Sequence, residues 1–109
     1  MKGTIKENRD FCYGYRRGKK VVSHAMVLHY YPNRTGETKL GITVSKAVGK
    51  AVKRNRAKRL VRACFQAAKP HIKPGYNIII VARTVLAHMK QCDAMANLEY
   101  CLKKSELMK

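Results

Sequence analysis

The sequence predicts an α+β fold, and three features of the pattern carry that prediction. Residues 51–68, AVKRNRAKRLVRACFQAA, separate into an apolar and a cationic face when wound at about 100° per residue, as an amphipathic helix does. Tyr76–Ala82 (YNIIIVA) is short and continuously apolar, the pattern of an interior strand covered on both faces. Residues 21–31 (VVSHAMVLHYY) and Lys39–Val44 (KLGITV) mix alternation with β-branched and aromatic residues, as strands do.

Taken in order, Met1 to about Glu7 is a basic arm without periodicity. Asn8 is a good N-cap, and a short helix runs from it to about Arg16, with Phe11 and Tyr15 on one face. Gly14 and Gly18 argue that this helix is brief. Lys19 and Lys20 lead into the first strand, which ends at Pro32, and an extra edge strand near residues 16–22 is compatible with the pattern. Pro32-Asn33-Arg34-Thr35-Gly36 is a turn, so residues 21–44 are expected to form an antiparallel hairpin. Gly49 precedes the central helix, and Pro70 and Pro74-Gly75 end it. Thr84–Lys90 is a loop or helical turn. Asp93 is expected to cap a last helix that places Met95, Leu98, Cys101 and Leu102 on one side.

A chain of 109 residues is expected to form a single domain, 1–109, around one modest core. Its apolar content of 46% is that of a globular protein, but its formal net charge of +18 is far from ordinary. Self-repulsion on that scale opposes compaction, so the charge serves a polyanionic partner, nucleic acid before an anionic membrane surface. No apolar run approaches the roughly 18 residues of a membrane span, and MKGTIKENRDF lacks the apolar core of a signal peptide. A cytoplasmic chain is expected. The four cysteines, Cys12, Cys64, Cys92 and Cys101, form no C-x-x-C pair and no zinc set, and read as reduced, mostly buried small hydrophobes.

On the central helix, Ala57, Leu60, Val61, Cys64, Phe65 and Ala68 fall together on one side. Asn55, Arg59 and Arg62 fall on the other, flanked by Arg56 and Lys58, and Lys46, Lys50, Lys53 and Arg54 extend the charge toward the helix start. A solvated face ordinarily mixes signs, because like charges at i, i+4 such as Lys58 and Arg62 destabilise a helix. No acid offsets them here, which points to a partner supplying the negative charge.

Catalysis by the polypeptide itself is poorly provided for. The six acids (Glu7, Asp10, Glu37, Asp93, Glu99, Glu106) are scattered, and the four histidines do not pair with a motif nucleophile. No catalytic residue and no metal ligand is assigned on this chain. A phosphate-binding glycine loop fails as well, since Gly41 and Gly49-Lys50 are too far apart and Ala51 stands where Ser or Thr is needed. Nucleic-acid binding is what remains. The cationic helix supplies phosphate contacts, and Asn55 is the residue on that face able both to donate and to accept. Phe11, Tyr13, Tyr15, Tyr30 and Tyr31 concentrate in the N-terminal third, where unpaired bases could stack on them; ordinary strand packing would also explain them.

The run AVKRNRAKRLVR (Ala51–Arg62), with Arg54-Asn55-Arg56 at its centre, closely resembles the signature of the protein subunit of bacterial ribonuclease P. NRDFCYGYRRG resembles the opening helix of that family, and the Val-Ser-Lys before the signature and the GYNIIIVAR strand match in order and spacing. The resemblance implies a four-stranded mixed sheet packed with helices and a left-handed β-α-β crossover, where general topology rules favour a right-handed one. It implies that a large RNA subunit carries the active site and holds the Mg²⁺, and that the ribonucleoprotein cleaves precursor tRNA to form its mature 5′ end. The partners so implied are ribonuclease P RNA and precursor tRNA, with no membrane and no small-molecule substrate. By position, Phe11, Tyr15, Val27 and His29 would line a cleft for the 5′ leader. Lys46, Arg54, Asn55, Arg56, Lys58, Arg59 and Arg62, joined by Lys50 and Lys53, would face the catalytic RNA.

Three departures from the family pattern stand out. His29 occupies a position where an aromatic is common, which makes stacking there less secure and open to pH. Ala57 replaces a larger aliphatic residue on the buried face. The arm before Asn8 is short, which puts its usual RNA contacts in doubt. The rival reading is a structural ribosomal protein, which would share the charge and the mixed fold but have no need of an aromatic groove.

Overall fold

The computed structural model describes Ile5 and residues 8–108. Helix α1 (Asn8–Arg17) leads into strands β1 (Lys19–Val22), β2 (Met26–Pro32) and β3 (Lys39–Val44). Then come α2 (Ala51–Ala68), β4 (Tyr76–Ala82) and α3 (Gln91–Lys104), with single 3₁₀ turns at Lys46–Val48, Lys69–His71 and Thr84–His88. The four strands lie in the order β1-β2-β4-β3. β1 and β4 both run antiparallel to β2, while β3 and β4 are parallel and joined through α2. The mixed four-stranded sheet and the β3–α2–β4 crossover unit expected from the resemblance are both present.

The expected hairpin over residues 21–44 is not. β2 and β3 do not pair, because β4 lies between them. Ile78, Ile79 and Ile80 are all fully buried, so this strand requires cover on both faces and takes a central place in the sheet. The long strand read over residues 21–31 is also divided. Ser23 turns the chain: its N–H and its hydroxyl both donate to the Met26 carbonyl, at 2.8 and 3.0 Å. β1 thereby becomes the extra edge strand, hairpinned onto β2. Helix α3 begins at Gln91, two residues ahead of the expected cap. Lys90 holds the N-cap position, and Asp93 sits in the first turn, where its charge complements the helix dipole instead.

Each sheet face has its own cover. Met26, Leu28, Leu40, Ile78, Ile80 and Ala82 pack beneath α2 and α3, against Ala57, Val61, Cys64, Phe65, Leu98, Cys101 and Leu102. The apolar face assigned to α2 from its periodicity is the buried one, with Leu60 partly buried at its margin. The other face carries a smaller cluster, Ile5, Tyr31 and Ile79, with Phe11 and Val81 packed against it. The arm before Asn8 falls outside the described residues except at Ile5, whose N–H donates to the Leu40 carbonyl at 2.9 Å.

Helix α1 lies close on that second face. A Cβ at Gly14 would stand 2.5 Å from Cδ1 of Ile79, and one at Gly41 would stand 2.8 Å from the Phe11 ring. Gly14 thus sits inside the helix because the sheet passes beneath it, and α1 runs on to Arg17. The cysteines divide evenly. Cys64 and Cys101 are buried as expected and their thiol pKa values are raised by burial; Cys12 and Cys92 are exposed, contrary to expectation, and all four are free thiols. The exposed pair sit on the outer faces of α1 and α3, which a count of apolar residues does not reveal.

Candidate nucleic-acid interface

Side chains of β2 alternate between the two sheet faces, and the register of the strands determines what lies beside them. Val27 pairs with Val81, which pairs in turn with Thr43; His29 pairs with Ile79, which pairs with Gly41. These residues form one surface, and α1 covers only part of it. The Phe11 ring rests on Gly41, where the missing side chain makes room for it. One turn on, Tyr15 leans over the sheet: its hydroxyl lies 2.9 Å from the Thr43 hydroxyl, and its ring meets His29 edge-on at 5.0 Å. Tyr15 is 42% exposed, while Val27, His29 and Thr43 are half-buried, so a cleft remains open between helix and sheet.

All four residues expected at the cleft, Phe11, Tyr15, Val27 and His29, are brought together there. Phe11 is the most involved in packing, serving as both wall and anchor. Thr43 and Val81 complete the floor and Lys20 the rim, and sequence reasoning missed them. Alternation within β3 and β4 would have placed each on one of two faces, but only the register says which face meets β2.

His29 is electrically unusual. Its pKa is lowered from the ordinary 6.5, first by burial and then by the positive charge of Lys20, its cross-strand neighbour. Its Nδ1 is buried without a hydrogen-bond partner. A neutral imidazole beside an aromatic ring can stack with a base, while its enclosed Nδ1 is closed to one.

The second part of the interface is the start of α2. Among the described residues, Val52, Asn55, Lys58, Arg59 and Arg62 line an open groove of about 530 Å³. Asn55, Arg59 and Arg62 are exposed together, as the i, i+4, i+7 spacing requires. Lys46, Lys50 and Lys53 are exposed at the approach to the helix, and Lys50 occupies the N-cap position with no side-chain cap. The unbonded N–H groups of that first turn add to the positive field. Val52 is 77% exposed among these cations, an apolar contact that the charge pattern did not single out.

Two arginines of the signature are less free than expected. Arg56 donates from Nε to the Ala87 carbonyl at 2.9 Å and from Nη2 to the Met89 carbonyl at 3.3 Å. It clamps α2 to the turn after β4 and retains only its remaining N–H groups for a partner. Arg54 is half-buried, with its Nε enclosed and unpaired, so a ligand would be met by its outer nitrogens.

The arrangement is suited to binding nucleic acid. Among the described residues no group of His, Cys, Asp and Glu is gathered as a metal site. What the surface offers is an array of hydrogen-bond donors for phosphate and a cleft lined by rings.

Known proteins resemble the chain over nearly its whole length. The family model for ribonuclease P matches residues 2–106. The ribonuclease P protein component of Staphylococcus carnosus is 43% identical over 105 residues, spanning 94% of this chain and 90% of its own. That of Clostridium kluyveri is 36% identical and spans 96% of each chain. Among solved structures, the RNase P protein of Staphylococcus aureus superposes with a TM-score of 0.88 at 33% identity, covering all of both chains. The RNase P protein of Thermotoga maritima gives 0.84 at 28% identity, over 93% of this chain and 96% of its own. Signature, sheet order and near-complete coverage agree, and the chain belongs to the ribonuclease P protein family.

Proposed function

We propose that this chain acts as a single RNA-binding domain in the cytoplasm, docking on ribonuclease P RNA through α2 and holding the 5′ leader of precursor tRNA in the cleft beneath α1. Membership of the family makes it a protein subunit of an endoribonuclease that matures tRNA 5′ ends. The observation that carries the rest is the half-covered sheet face opening beside the cationic helix start. No helix of the described residues is long and apolar enough to cross a membrane.

In this reading Arg59, Arg62, Lys58, Lys50, Lys53 and Lys46 neutralise phosphates of the RNA subunit, and Asn55 supplies a directional bond among them. Arg54 contributes its outer nitrogens, and Arg56 holds the helix in place. Tyr15, His29 and Phe11 meet unpaired leader bases, with Val27 as the apolar floor. Mg²⁺ belongs to the RNA partner. The donor set on α2 is cations and one amide, which does not fit a hard cation that takes oxygen ligands. The protein contributes by concentrating negative backbone at one place, which raises substrate affinity and lowers the Mg²⁺ the RNA requires.

Processing of precursor tRNA by the RNA alone and by the RNA with this protein, compared at low Mg²⁺, is the direct test. Stimulation that requires a leader on the substrate is expected. No stimulation would overturn the proposal.

A further inference from the structure

A second groove lies at the opposite end of the sheet from the α2 array. Tyr30, near the end of β2, and Tyr76, at the start of β4, stand with ring centroids 6.4 Å apart and planes tilted by 60°. Both are half-buried. Arg17, Lys19, Lys73 and Lys104 surround them in a groove of about 640 Å³ where, among the described residues, Glu106 is the lining carboxylate. Two aromatic rings and four cations repeat the chemistry of the leader cleft with different residues. Helix α2 starts past the end of β3, where Val44 pairs with Ala82; Tyr76 is at the other end of the seven-residue β4, about 20 Å away.

The edge of the sheet lies between the groove and the cleft. β1 is the outer strand, and its successive side chains point to opposite faces. Lys20 pairs with His29 on the cleft side, and Lys19 pairs with Tyr30 on the groove side. Arg16 and Arg17 precede them at the end of α1, and all four cations are exposed. The corner RRGKK is thus a cationic path from one aromatic site to the other.

We propose that the groove at Tyr30 and Tyr76 holds the 5′-distal part of the precursor leader, after the strand leaves the Phe11–Tyr15 cleft and turns around the Arg16–Lys20 corner. The inference rests on the leader-cleft reading, which supplies the strand. Phosphates meet Lys19, Lys73 and Lys104, and an unpaired base meets a tyrosine ring in a sequence-tolerant stack. A duplex would offer the same cations its phosphates but would leave both rings unused.

The test measures Kd of the holoenzyme for precursors with leaders of about 4 and about 16 nucleotides, which bracket the site sizes of single-strand grooves. Wild-type protein should bind the longer leader more tightly. Lys73→Glu combined with Lys104→Glu, both exposed positions, should erase that increment, about tenfold for one stacked and charge-held nucleotide, and leave the short leader within about twofold. Tyr76→Phe should keep the increment and Tyr76→Leu should lose it. An equal loss for both precursors would mean a general field effect and overturn the groove, as would the absence of any wild-type preference for the longer leader. Phe11→Ala should weaken both precursors; an unchanged short-leader Kd in that variant would count against the cleft itself and is read separately.

Discussion

Arginines that look alike in the signature divide by what they touch. Arg56 spends two donors on the carbonyls of Ala87 and Met89, whereas Arg59 lies exposed in the α2 groove. Arg56→Ala should therefore lower unfolding stability by about 1–2 kcal/mol in denaturant titration. Arg59→Ala should leave stability unchanged and weaken RNA binding, flattening the log–log salt slope by roughly 0.7–0.9 for one lost phosphate contact. His29 makes a prediction in pH. Its folded-state pKa is below the ordinary 6.5, so the folded protein binds fewer protons than the unfolded chain through that range. Its contribution to stability is full above pH 6.5 and is lost as pH falls from there through the lowered folded value. Denaturant midpoints measured down that range should fall in the wild type and fall less in His29→Phe.

The cleft exists because α1 docks on one part of the sheet and not another. Gly41 determines how closely it can dock, since the Phe11 ring fills the space a side chain would take. Gly41→Ala should destabilise the fold by about 1–3 kcal/mol, because a Cβ there collides with a ring already packed among Ile5, Tyr31 and Ile79. Its thermal midpoint should drop, and leader affinity should fall with it as α1 lifts. Helix α2 differs in kind. Its bounds, Ala51–Ala68, and its buried face were legible in the sequence, because periodicity is a local property and prolines mark its end. The cleft floor was not. Thr43 and Val81 join Val27 through strand register, which pairs segments distant in the chain and cannot be read from any one of them.

At the scale of the whole molecule, the chain carries a charge of +18 and its fold extends over 35 × 27 × 25 Å. Self-repulsion opposes that compactness until ions or RNA screen it. Raising salt from about 0.01 to 0.15 M shortens the screening length from about 30 to about 8 Å and should raise the thermal midpoint of the free protein. A midpoint that stays flat or falls with salt would mean that repulsion does not limit the fold. The same change should weaken RNA binding, so stability and affinity move in opposite directions with salt.

By itself the sequence determined the charge, the two faces of α2, the strand character of β2, β3 and β4, and, through a specific signature, the family. These depend on residue types at fixed spacing along one segment. Only the tertiary structure decided that β4 separates β2 from β3, that Ser23 divides one expected strand into two, and that Arg56 is a clamp. It also decided that Tyr30 and Tyr76, 46 positions apart, share a groove. Each of these joins residues distant in the chain, through contacts that a local pattern permits but does not select.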